Sequence, residues 1–76
     1  MQLNCKSFLF SNHALRSMIG RNIHTDDVLD TITHGELLKA YTDDKPYPSF
    51  LLLKFVNNRP LHVVMAYNKV DEIALL

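Results

Sequence analysis

Residues 49–67 read SFLLLKFVNNRPLHVVMAY, and the reading of this stretch decides the architecture. Ser49 to Val56, rich in Phe and Leu, predicts a strand, and Asn57-Asn58 predicts a tight turn because asparagine tolerates positive φ. Pro60 stands at the head of the next strand, where a missing amide donor is tolerated, and Leu61 to Tyr67 follows. Val63, Met65 and Tyr67 fall on one side of it and His62, Val64 and Ala66 on the other. Leu37 to Thr42 reads as a preceding strand, Asp43 to Pro48 as a loop, and Glu72 to Leu76 as a last strand. The expectation is a four-stranded antiparallel meander.

Upstream of the meander the period is helical. Ser11 or Asn12 can cap a helix that runs through Ile19 and stops at Gly20. Its apolar face is Leu15, Met18 and Ile19, with His13, Arg16 and Ser17 opposite. Thr25 caps a second helix whose first turn sets Asp26 and Asp27 against the positive end of the dipole, and Gly35 ends it. Val28, Leu29 and Ile32 form its stripe. Two helices followed by a meander predict an α+β fold in a single domain, 1–76. The apolar end, Ile73-Ala74-Leu75-Leu76, implies that a partner covers it or that the sequence is cut short.

A chain of 76 residues and 8.8 kDa buries only about 60% of its unfolded surface. Its one cysteine, Cys5, permits neither an internal disulfide nor a four-cysteine zinc site, and suits a reducing cytoplasm. Eight basic and eight acidic residues cancel, which argues against a nucleic-acid binder that works by bulk charge. The charges are nevertheless segregated. Residues 1–24 carry Lys6, Arg16 and Arg21 without an acid, 25–44 are mostly acidic, and 45–70 carry Lys45, Lys54, Arg59 and Lys69 without a carboxylate. If the fold joins the first and third blocks, a neutral protein gains a positive face. No stretch approaches the roughly 18 apolar residues of a membrane span, so no membrane association is expected.

His13, His24, His34 and His62 lack the short paired spacing of a zinc site, so neither a metal nor a cofactor is expected. One constellation stands out. His13 and Arg16 are neighbours on a helix face, Arg21 follows the helix end, and His62 comes soon after Arg59 in an otherwise apolar strand. Imidazole exchanges protons near neutral pH and guanidinium grips phosphate with paired hydrogen bonds. These are the parts for metal-free RNA cleavage by 2′-OH attack, with His13 and His62 transferring protons and Arg16, Arg21 and Arg59 holding phosphate. Lys54, which interrupts an apolar strand, and Tyr67, which could stack a base, complete the substrate-binding candidates. Each has a plainer reading as a cap, a solvated stem or a packing residue, and spacing alone leaves function open.

The motifs His13-Ala14-x-Arg16-x-Met18-x-x-Arg21-x-Ile23, Thr25-Asp26-Asp27-Val28, Tyr41-x-Asp43-Asp44-x-Pro46-Tyr47-Pro48-Ser49 and Arg59-Pro60-Leu61-His62-Val63-Val64 resemble a family of small bacterial domains of unknown function. Members of that family are often encoded beside zinc-finger antitoxins of the YgiT or MqsA type. The resemblance implies a RelE-like fold of the barnase, EndoU, colicin and RelE group, a toxin-type endoribonuclease acting on RNA, and a zinc-finger antitoxin partner. The alternative is a non-catalytic protein-binding module or a degenerate toxin relative. A third expectation is a homodimer formed through an edge strand, the exposed final strand being its candidate.

Overall fold

The computed structural model describes residues 3–76. Its elements are β1 (Ser7–Leu9), α1 (Asn12–Gly20), α2 (Thr25–His34), β2 (Glu36–Tyr41), β3 (Ser49–Val56), β4 (Arg59–Asn68) and β5 (Ile73–Leu75). The β3–β4 hairpin forms as the sequence predicts. Asn57 and Asn58 take φ of 52° and 65°, which matches the primed turn that suits right-twisted strands. Eight directly opposed pairs, from Ser49↔Ala66 to Val56↔Arg59, zip the hairpin.

The fold is α+β, but the sheet has five strands in the order β1-β5-β4-β3-β2 and is mixed, where a four-stranded antiparallel sheet was expected. The added strand is β1, which runs parallel to β5 with Phe8 beside Ala74. Three residues are too few to display a period-2 pattern, so Phe8-Leu9-Phe10 carries no strand signature. The apolar final strand therefore lies between β1 and β4, and the sheet edges are β1 and β2. Ala74 is completely buried there.

Both helices cover the same sheet face. Val63, Met65 and Tyr67 of β4 and Leu52 of β3 meet Met18, Val28 and Ile32 in the core, and Thr31 satisfies its buried hydroxyl by donating to the Asp27 carbonyl at 2.8 Å. Three helix details depart from expectation. In α1 only Met18 is buried; Ile19 is 80% exposed, Leu15 is exposed, and Ala14 and Ser17 turn inward with Met18. The helix packs on a sheet that ends short beside it, so small residues face inward where a purely hydropathic reading chose large ones. Gly20 continues the helix and Arg21 is its C-cap, with Asn22 taking the left-handed position at φ 55°. Ser11 caps α1 by accepting from the Ala14 amide at 3.0 Å. In α2 the cap is His24, whose amide donates to the Asp27 carboxylate at 3.3 Å, and Thr25 is the first helical residue.

A charged cluster ties α2 to the sheet. Lys54, on the helix side of β3, reaches Asp30 at 3.0 Å, and His34 Nδ1 lies 2.8 Å from the other carboxylate oxygen. The His34 hydrogen bond first and then Lys54 hold the Asp30 carboxyl below its usual range. A depressed folded value means that the cluster's contribution to stability is present above the ordinary carboxyl pKa of about 4 and is lost as pH falls through the lower folded one. Asp30→Asn should consequently lower the urea midpoint at neutral pH and narrow the gap between variant and wild type in strong acid. A gap that stays constant down to acid pH would count against this link.

Candidate functional site

β5 is three residues long and β4 is ten. Only Ala66, Tyr67 and Asn68 of β4 pair with β5, so Leu61–Val64 run past its end. The Ser11 amide donates to the Leu76 carbonyl at 2.8 Å, which starts α1 at the point where β5 stops. The helix thus lies beside the overhanging part of β4, and a cleft of about 320 Å³ separates them.

Residues far apart in sequence converge on this cleft. His13 and Arg21 come from α1 and its C-cap, and His62 comes from the overhang of β4, where it lies opposite Leu53 on the sheet face turned away from the helices and so meets the cleft at its rim. Met18, Ile23, Val28, Leu61 and Val63 make an apolar floor, while Ser11 and Ser17 add hydroxyls. Among the described residues, no carboxylate lines the cleft. Its polar groups are imidazoles, one guanidinium and two hydroxyls, a set suited to an anion with an apolar or planar neighbour.

The remaining candidates separate into three groups. Arg16 is exposed and is not among the lining residues, since Ala14, Ser17, Met18 and Arg21 form the side of α1 that faces the cleft. Arg59 lines a neighbouring depression of about 160 Å³ with Asn22, His24 and Asp27; Ile23 and Leu61 form the shared wall. Arginines of the first and third charge blocks thus line neighbouring depressions, with Asp27 lining the second. Lys54 is engaged with Asp30. Tyr67 is buried, and its hydroxyl donates to the Asn4 carbonyl at 2.5 Å. Burial, with Cys5 and Glu72 nearby, raises the Tyr67 pKa; its burial and its bond to Asn4 make it a packing residue that pins the segment preceding β1. Cys5 is half-buried against the core, and burial followed by Glu72 pushes its thiol pKa up, which disfavours the thiolate.

Ser11 and Ser17 were not singled out from sequence as cleft residues. Their signal was available: Ser11 as the cap preceding His13, and Ser17 one turn from both His13 and Arg21. Among the described residues, no group of three or more His, Cys, Asp or Glu side chains lies close enough to hold a metal ion, and no helix is long and apolar enough to cross a membrane.

A family model described as a domain of unknown function (DUF4258) matches residues 10–73, which takes in the cleft-lining His13, Arg21 and His62. No curated protein and no solved structure is a significant match to the chain.

Proposed function

The chain belongs to the DUF4258 family, whose description carries no activity, and from its own residues we propose that it is a toxin-like endoribonuclease domain that cleaves RNA without a metal ion. The observation that supports this reading is that His13 and Arg21 line one cleft with His62 at its rim, and that no carboxylate among the described residues lines it. One imidazole accepts the proton of a ribose 2′-OH, and that oxygen bonds to the adjacent phosphorus. Arg21 grips the non-bridging oxygens as charge develops. The bond from phosphorus to the 5′ oxygen breaks, and the second imidazole, protonated, delivers its proton to the leaving oxygen. The products are a 2′,3′-cyclic phosphate and a free 5′-hydroxyl. In this reading the fold is RelE-like, the natural substrate is a single-stranded RNA segment, and a zinc-finger antitoxin protein is the regulating partner.

The test compares two arginines in chelator-containing buffer. Arg21→Ala should weaken RNA binding and reduce the salt dependence of that binding by about one phosphate contact, with cleavage falling in step. Arg16→Ala, which lies outside the cleft, should leave both near the wild-type level. Equal loss in both variants would place the phosphate elsewhere.

A second reading rests on a different observation, the stretch Leu61–Val64 that extends beyond β5 next to α1. An extended peptide could add to this overhang as a strand, with the cleft's apolar floor receiving alternate side chains. As a non-catalytic protein-binding module, the domain would keep its partner when His13 and His62 are both replaced by alanine.

A further inference from the structure

We propose that the sheet face turned away from the helices is the contact surface for a second copy of this chain. The register defines that face. Leu9 lies beside Leu75, Leu75 beside Ala66, Val64 beside Leu51, and His62 beside Leu53, while the alternating residues Phe8, Ala74, Met65, Val63 and Leu52 point to the helices. Among the described residues, no element covers the first set. Phe55 is 63% exposed, Val64 59% and Leu9 54%, with Leu51, Leu53 and Leu75 half-buried between them. Two layers normally enclose one core, and an antiparallel face left to water is normally polar. This one carries a continuous apolar field from β1 to β3, flanked by His62, Ser49 and Asn68.

Area and charge both point to a copy of the same chain. A folded monomer of 8.8 kDa exposes roughly 4,800 Å² by the mass scaling of monomeric proteins; this chain exposes 5392 Å², about 600 Å² more. That excess approaches the roughly 800 Å² that each partner contributes to a stable interface. The formal net charge is zero, so two copies meet without long-range repulsion. Glu36 and Lys39 of β2, opposite Leu53 and Leu51, give the same face one charge of each sign. A surface carrying both signs beside an apolar field is self-complementary about a two-fold axis, as an isologous interface requires. Packed face to face, the two sheets form a sandwich with the apolar residues as its inner layer. The expected two-fold contact uses the open face and leaves both edge strands unpaired. It brings the second copy against the rim of the cleft at His62, and it does not depend on what the cleft binds.

Sedimentation equilibrium of the full chain, without RNA, tests this. The wild type should approach a mass of twice 8.8 kDa at high micromolar concentration and dissociate on dilution. Phe55→Glu places a carboxylate on the face at an exposed position, so the fold should persist by circular dichroism while dimer dissociation rises about 30-fold or more. Val70→Glu changes a residue that is 92% exposed in the β4–β5 turn, and should leave the dimer intact. A wild type that stays monomeric throughout overturns the proposal. So does a dimer that Phe55→Glu leaves unchanged, because the contact would then lie at an edge strand or elsewhere.

Discussion

His62→Ala is expected to lower RNA cleavage by the purified protein about 10²- to 10⁴-fold, the range for removing one positioned proton donor or acceptor. The imidazole is exposed, and its strand is held by eight cross-strand pairs to β3, so the variant should fold and melt like the wild type. His13→Ala should fall in the same range. The double variant should lose little beyond either single one, because an acid and a base that serve one displacement act as a unit. Binding of an uncleavable RNA lacking the attacking 2′-OH should change much less than the rate, since Arg21 still holds the phosphate. A His62→Ala enzyme with wild-type activity would move proton transfer out of this cleft.

Gly35→Ala should destabilise the fold by about 2–3 kcal/mol or more, the scale of forcing extra volume into a packed site. The reason is local and concerns backbone. Gly35 joins α2 directly to β2, with its amide donating to the Thr31 carbonyl at 2.8 Å. A β-carbon there would collide with that same Thr31 carbonyl oxygen and would stand 3.0 Å from the carbonyl oxygen of Leu53. Neither obstacle is a flexible side-chain end, so the helix must withdraw from β3. For a domain of this size, whose total stability is on the order of 4–11 kcal/mol, the melting temperature should drop by roughly 10–20 °C. Gly20→Ala is the contrasting case. It lies inside α1 with nothing within 4 Å of the added carbon, and should be neutral or stabilising by up to about 1 kcal/mol. Thermal melts of the two variants side by side distinguish a steric requirement at Gly35 from a general preference for glycine.

The difference between these glycines also marks the limit of what was legible in the sequence. Both follow an apolar helical run, and both read as helix stops. Which one is required depends on the approach of Leu53, a residue eighteen positions away from Gly35, and no local pattern encodes that contact. The hairpin was legible because its signals are local: a Phe- and Leu-rich run, two asparagines able to take positive φ, and a proline at the head of the following strand. The inward side of α1 was not, because Leu15 and Ile19 outrank Ala14 and Ser17 in hydropathy while tertiary packing selected the small pair. β1 escaped notice for a related reason, since its pairing comes from the far end of the chain.

The candidate site divides along the same line. His13 was found beside Arg16 on one helical side, Arg21 just past the helix end, and His62 as an odd polar residue in an apolar strand. That His13 and Arg21 line a cleft with His62 at its rim follows from the shortness of β5, which lets β4 overhang beside α1. Arg16 has the same helical spacing from His13 as a cleft residue could have, yet the helix rotates it away. Tyr67 and Lys54 were ambiguous by composition, and their partners Asn4 and Asp30 assign them to structure.

The most direct measurement of the central claim is the chemical identity of the RNA ends made by the purified protein in chelator-containing buffer. Ends carrying a 2′,3′-cyclic phosphate opposite a free 5′-hydroxyl, made by the wild type and lost in His62→Ala, are the predicted result. Intact RNA after prolonged incubation with protein shown to be folded, or ends unaffected by the His62 substitution, would contradict it.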